Sequence, residues 1–273
     1  MARDFRFGIG VRSVKSAARL REKVRQFEDF GYDVVHLPDH LGAPAPFPAM
    51  VAAANAAGTI RVGTYVLNAA FYSPALLARD AIDTDLLSEG RLELGLGTGY
   101  VREEFEAAEI PYPSAAQRIA HLQHTVDYLK RAAPDLPLLI AGNGDRVLRI
   151  AAQHADIIGF SGGIPAEGTE DPLAERIAFV QTAAGDRFAD IELNIAITAV
   201  PTDASGVADL TLTRAYAPHA TDEQLLALPS VLSGPPQQIA EKLMAQREHY
   251  GVTYFTVQDY HGKYFAEVIR AMR

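Results

Sequence analysis

The sequence predicts a (β/α)8 TIM barrel formed as one domain over residues 1–273. Three observations carry that prediction. Eight apolar or alternating runs with strand character recur along the chain, each followed by a helical pattern. The length of 273 residues, 48% of them hydrophobic, suits a barrel of this kind and can bury a large core. Several of the apolar runs also end directly in Gly, Asn, Asp or His, where a barrel builds its sites.

Taken in order, FRFGIG (5–10) reads as the first strand. Ser13 or Ser16 can cap a helix in which Leu20, Val24, Phe27 and Phe30 recur at helical spacing, and Gly31 ends it. DVVHL (33–37) is a β-branched second strand running into Pro38-Asp39-His40, followed by a proline-bearing loop and a small-residue helix over 47–57. IRVGTYVL (60–67) gives the third strand, and Pro74 suits the first turn of the helix that follows. RLELGLG supplies the fourth, with Leu92, Leu94 and Leu96 alternating against Arg91, Glu93 and Gly95. A helix over 114–132 leads to strand five (136–142), a helix near 145–153 and strand six in ADIIGFSGG. A helix across 172–184, strand seven (190–200), a helical stretch from Thr221, a helix opened by Pro235-Pro236, strand eight (252–258) and a last helix complete the pattern.

Composition narrows the function. Twenty-five basic against 34 acidic residues give a net charge of −9 with no basic run, which argues against nucleic acid or an anionic membrane as partner. The absence of cysteine removes disulfides, thiolate metal sites and a cysteine nucleophile. No apolar run is long enough to cross a bilayer, and MARDFRFGIG lacks the apolar core of a signal peptide, so a soluble cytoplasmic protein is expected.

The stretch RLELGLGTGYVREEF (91–105) concentrates the chemistry. Gly97-Thr98-Gly99 breaks the strand, and consecutive amides in such a turn can bind an anion such as a cofactor phosphate; a tight loop that binds nothing has the same residues. As a dinucleotide fingerprint it fails, because Gly95, Gly97 and Gly99 spell G-x-G-x-G. The barrel rule nominates this end together with Asp39 and His40, Leu67 to Ala70, Ala141 to Gly144, and Phe160 to Gly163.

Over most of its length the chain resembles the bacterial luciferase-like superfamily, in particular its coenzyme F420 (deazaflavin)-dependent oxidoreductases. The residues that carry the resemblance are GYDVVHLPDH (31–40), TIRVGTYVL (59–67), SPALLARDAIDTDLLSEGRLELGLGTGY (73–100), Gln117-Arg118, 139–162 and 232–257, with 163–230 matching poorly. The resemblance implies the barrel, a bound deazaflavin or flavin, a small-molecule substrate and a homodimer. It makes His40 the active-site histidine and Asp39 a residue that helps hold the ring system. It places a non-prolyl cis peptide at Tyr65-Val66, backing the ring, with Asn68 beside it. It assigns Gly97, Thr98 and Gly99, with Ala141, Gly142, Asn143 and Gly144, to the coenzyme's phosphate and linker, and Ser161-Gly162 to a further cofactor-side turn. Where sugar-phosphate dehydrogenases of this group carry an acidic catalytic residue, this chain has Tyr100, a far weaker acid, which counts against sugar-phosphate oxidation.

His36 lies four residues before His40, but residues four apart on a strand sit at separated heights, so no metal site is expected. His121 and His124 read as surface or packed helix residues, and Glu103, Glu104 and Glu106 as a solvated helix N-terminus. The leading functional expectation is hydride transfer between coenzyme F420 and a small organic substrate, with His40 exchanging the proton. Two others stand beside it. One is an FMN-dependent monooxygenase using oxygen and a partner reductase; the other is a flavin- or deazaflavin-binding protein without turnover.

Overall fold

In β1 (Arg6–Gly10) the buried Phe7 and Ile9 alternate with Arg6, Gly8 and Gly10, and this period of two decides which side chains face the helices and which face inward. The computed structural model describes residues 3–161 and 171–273. The helix α1 (Ala17–Asp29) starts where Ser16 accepts from the amide of Arg19 at 3.2 Å and buries Leu20, Val24 and Phe27. Then follow β2 (Val34–Leu37), α2 (Pro46–Ala54), β3 (Arg61–Thr64), β4 (Leu67–Asn68), α3 (Pro74–Leu87) and β5 (Leu92–Gly97). Next come α4 (Arg102–Ala107), α5 (Ala115–Ala132), β6 (Leu138–Ala141), α6 (Asp145–His154), β7 (Ile157–Phe160), α7 (Pro172–Ala184) and β8 (Glu192–Ala196). Short helices α8 (Thr211–Tyr216) and α9 (Asp222–Ala227) precede α10 (Pro236–Tyr250), β9 (Tyr254–Gln258) and α11 (Gly262–Met272).

All neighbouring strands pair in parallel, in the order β3-β2-β1-β9-β8-β7-β6-β5-β4, and a β3–β5 pairing closes the ring. The result is an eight-stave (β/α)8 barrel in which β3 and β4 are two parts of one stave, as the sequence predicts. The expected continuous third strand over 60–67 is broken at its middle: the Tyr65-Val66 peptide is cis, at the position expected for it. Strand seven also stops at Ala196 rather than Val200. Beyond it the chain builds a small apolar cluster of its own, with Ala199, Ala217, Leu225, Leu228 and Val231 buried together. Isolated bridges Ala199–Val231 and Pro201–Ala208 hold that segment.

The main core lies between sheet and helices. Leu77, Leu122, Leu148, Ile239 and Phe265 press from the helices onto Val35, Leu94, Ile140, Ile195 and Val257. Full burial of each such side chain stabilises the fold by roughly 1.5–3 kcal/mol. Inside the ring the lining is polar toward the N-terminal end. Arg6 bonds Glu192 at 2.6 Å and also Glu93, Arg61 reaches Glu93 at 2.7 Å, and the Arg6 guanidinium lies 4.5 Å from the centre of the Tyr254 ring. This charged layer fills one end of the barrel and leaves the other to the site.

Candidate functional site

One layer above those charges, the barrel interior is bound together by His36, Tyr65, Asn194, Tyr254 and Thr256. Tyr65 donates its hydroxyl hydrogen to Asn194 Oδ1 at 2.6 Å, and Asn194 Nδ2 donates to Thr256 Oγ1 at 3.0 Å. His36 Nε2 and the Tyr254 hydroxyl lie 2.6 Å apart. Burial, with Arg6 nearby, pushes the His36 pKa down to about 3, so the ring is neutral. Glycine makes this layer possible: a Cβ on Gly8 would meet His36 Nε2 at 2.8 Å.

The next layer toward the C-terminal mouth is built from small residues. Gly10, Gly97, Ala141, Gly159 and Ala196 follow the inward-facing positions of their strands. A Cβ on Gly159 would lie 3.4 Å from the Tyr65 hydroxyl, so this glycine borders the phenol. These small side chains line the barrel above Tyr65 and the half-buried Val66.

The broken third stave is held from three sides. Thr64 replaces missing ladder bonds with its side chain, donating to the Gly95 carbonyl at 2.8 Å and accepting from the Gly95 amide at 2.9 Å. Asp39, at the end of β2, accepts from the Asn68 amide at 2.9 Å and from the Tyr72 hydroxyl. Burial raises the Asp39 pKa, as does Glu104, against the pull of these two donors and of His40. His121, which the sequence left as a packed helix residue, has its Nε2 at 3.1 and 2.9 Å from the carbonyls of Ala69 and Tyr72 and braces the turn after β4.

The glycines of the 91–105 stretch have an internal reason to be glycine. A Cβ on Gly97 would meet Val66 Cγ2 at 2.8 Å. Gly99, at φ +70°, lies so close to the Asn68 side-chain amide that any Cβ would collide with it. Gly97 and Gly99 therefore accommodate the stave's own bulge first, and Thr98 sits half-buried between them. At the neighbouring strand end Gly142 packs against Val147, while Gly144 has open space around it and leads into α6 with no side chain capping that helix's amides. Asn143 Nδ2 donates to Ser161 Oγ at 3.0 Å and ties the ends of β6 and β7. Gly162 lies outside the described residues.

His40 differs from His36 in every respect. Its side chain is 53% exposed at the mouth, and its Nδ1 is 2.9 Å from Glu104 Oε1. Glu104 belongs to the acidic run that the sequence assigned to a solvated helix start; instead its carboxylate is largely covered and holds the histidine. Tyr100 is 67% exposed, with its phenol raised by burial and by Tyr216 and Glu104. Asp39, His40, the Tyr65-Val66 bulge, Asn68, Gly97 to Tyr100, Ala141 to Gly144 and Ser161 thus come from the ends of β2, β3, β4, β5, β6 and β7 onto one end of the barrel. Among the described residues, no helix is long and apolar enough to cross a membrane.

The chain is similar to known proteins over part or most of its length. A 112-residue stretch is 33% identical to an F420-dependent glucose-6-phosphate dehydrogenase of Kribbella flavida, covering 38% of this chain and 34% of that protein. A 201-residue stretch is 27% identical to the protein of the same name from Beutenbergia cavernae, covering 62% of this chain and 60% of the relative. The chain thus spans less than two thirds of the length of these relatives. Among solved structures, a coenzyme F420-dependent tetrahydromethanopterin reductase from Methanopyrus kandleri superposes with a TM-score of 0.78 at 14% identity, over 99% of this chain and 100% of that one. An F420-dependent secondary alcohol dehydrogenase does so with a TM-score of 0.76 at 17% identity, over 99% and 100% of the two chains. The profile of the luciferase-like monooxygenase family matches residues 4–228, and the chain belongs to that family.

Proposed function

We propose that this protein is an oxidoreductase that moves a hydride between coenzyme F420 and a small organic substrate. The observation that carries the reading is an exposed histidine held by a largely covered carboxylate at the barrel end that also carries the cis Tyr65-Val66 bulge. The names of the curated relatives, F420-dependent glucose-6-phosphate dehydrogenases and a phthiodiolone/phenolphthiodiolone dimycocerosates ketoreductase, support it. When bound, the deazaflavin supplies the two-electron chemistry.

The chain's own residues have separate tasks. Tyr65 and Val66 form the surface under the ring, and Asp39 fixes that surface by holding the Asn68 amide. The open end of α6 at Gly144, with Ala141 to Asn143 and Gly97 to Gly99, faces the phosphate and linker, where free amides favour an anion. Ser161, bonded to Asn143, completes that side. Glu104, by accepting from Nδ1, fixes the His40 ring so that Nε2 meets the substrate and gives or takes the proton. Tyr100 stands beside it with a hydroxyl for the substrate oxygen.

The reading further makes the protein a single-domain cytoplasmic homodimer that receives reduced coenzyme from a separate reductase. Exposed Leu76, Ile82, Leu86 and Leu87, all on α3, support the dimer. The deciding experiment is to titrate the purified protein separately with oxidised deazaflavin and with FMN. Tighter binding of deazaflavin is expected, and a clear preference for FMN replaces this reading with a flavin monooxygenase.

A further inference from the structure

On the outer face of the barrel, α5 and α6 leave a groove of about 270 Å³ between them. Ala116, Ile119, Ala120 and Gln123 line one wall, and Arg146, Arg149, Ile150 and Gln153 line the other. Each set follows the spacing i, i+3, i+4, i+7, so each is one face of its helix. The upper end of the groove lies at the barrel mouth, because α6 starts at Asp145, directly after the turn that leaves β6 at Ala141. Arg146 stands in the first turn of α6, two residues past Gly144, and Arg149 lies about one turn below it.

No carboxylate lines this groove, although the chain carries a net charge of −9. α5 and α6 hold one acid each, and both are engaged. Asp127 accepts from Gln123 at 2.8 Å, and Asp145 accepts from Arg176 at 2.6 Å. The exposed Arg146 side chain has no hydrogen bond or ion pair among the described residues. Arg149 is also exposed, and its guanidinium carbon lies 5.6 Å from the centre of the Phe179 ring with no carboxylate partner among the described residues. Two free guanidiniums above a floor of isoleucine and alanine suit a ligand whose carboxylates are spaced along a chain of methylenes.

Coenzyme F420 has such a chain. Beyond its phosphate it continues through a lactyl group into γ-linked glutamates, each with a free carboxylate, whereas FMN stops at the phosphate. Resting on the deazaflavin assignment above, we propose that the α5–α6 groove holds this oligoglutamyl tail. Gly144, assigned to the phosphate and linker, stands at the top of the groove. Arg146 and Arg149 pair with carboxylates of the tail, and Ile119, Ala120 and Ile150 carry its methylenes. The groove thus lets charges outside the barrel favour the tailed coenzyme over FMN.

The test is a fluorescence titration of the full chain with coenzyme F420 carrying several glutamates, and with the same coenzyme trimmed back to its phospholactyl group. The tailed form is expected to bind about tenfold tighter at low salt, the sum of two exposed ion pairs, and to lose that advantage as salt rises. The Arg146→Ala, Arg149→Ala double variant should lose the advantage. It should bind the trimmed form as the parent does, which shows that the variant is folded. Equal affinities of the parent for the two forms, or an alanine variant that still prefers the tail, overturns the groove and leaves the coenzyme assignment standing. A protein that takes up neither form refutes that assignment, and the groove with it.

Discussion

His36 and His40 are four residues apart and meet opposite environments. His36 is sealed inside the ring against Tyr254, whereas His40 stands in solvent and leans on Glu104. If His40 relays the proton, His40→Ala should lower turnover by about 10²- to 10⁴-fold while deazaflavin still binds. Glu104→Ala removes only the tether, so a loss of about tenfold is expected, and none beyond that of His40→Ala when the two are combined. Additive losses in single-turnover assays would show that Glu104 acts independently of the histidine. The buried histidines set a pH dependence of stability. His36 and His261 have folded pKa values pushed down by burial to about 3 and about 4, below the unfolded value near 6.5. The unfolded chain therefore binds these protons first: stability is complete above about pH 6.5 and declines as pH falls toward the folded values. Each histidine costs about 2 kcal/mol by pH 5, measurable as a lower urea midpoint at pH 5 than at pH 7. A midpoint that is flat across this range would contradict the burial of both rings.

At the scale of elements, the third stave and the loop after β5 form one unit. Gly99 combines a left-handed backbone with an Asn68 amide at its Cα, while Gly144 has φ −79° and open space. Gly99→Val should therefore destabilise the protein by at least about 1–2 kcal/mol and weaken deazaflavin binding, because the bulge must shift. Gly144→Ala should change stability by no more than about 0.5 kcal/mol. Thermal melts and a coenzyme titration of both variants check this, and equal effects would remove the link between the loop and the bulge. The sequence showed each of these elements by its periodicity, and Ser16 and Pro74 mark helix starts that the structure has. What it could not show is why Gly95 and Gly97 are glycine, because Thr64 and Val66 stand about thirty residues away along the chain. Glu104 was hidden for the same reason. A run of acids before a helix has a local explanation, and the partner that changes it, His40, is 64 residues earlier. The helical stretch read from Thr221 is α9, which Thr221 caps, whereas α8 left no trace because a six-residue helix holds too few turns for a periodic pattern.

For the molecule as a whole, α3 offers the clearest exposed apolar surface. Leu86 is 74% exposed and stands beside Leu87, with Leu76 and Ile82 on the same helix. Light scattering should report a dimer for the parent chain and a monomer for Leu86→Glu, since a buried charge facing its own copy across a twofold contact is costly. A dimer that survives the substitution would move the contact to another helix.

The layer of Arg6, Arg61, Glu93 and Glu192 that fills the barrel's N-terminal end has a consequence for traffic. With that end closed, whatever settles against Tyr65 and Val66 enters and leaves by the same door as the molecule that covers it. The deeper guest must arrive first and depart last. Steady-state rates should then show intersecting reciprocal plots, and a surplus of the outer guest should slow the exchange of the inner one.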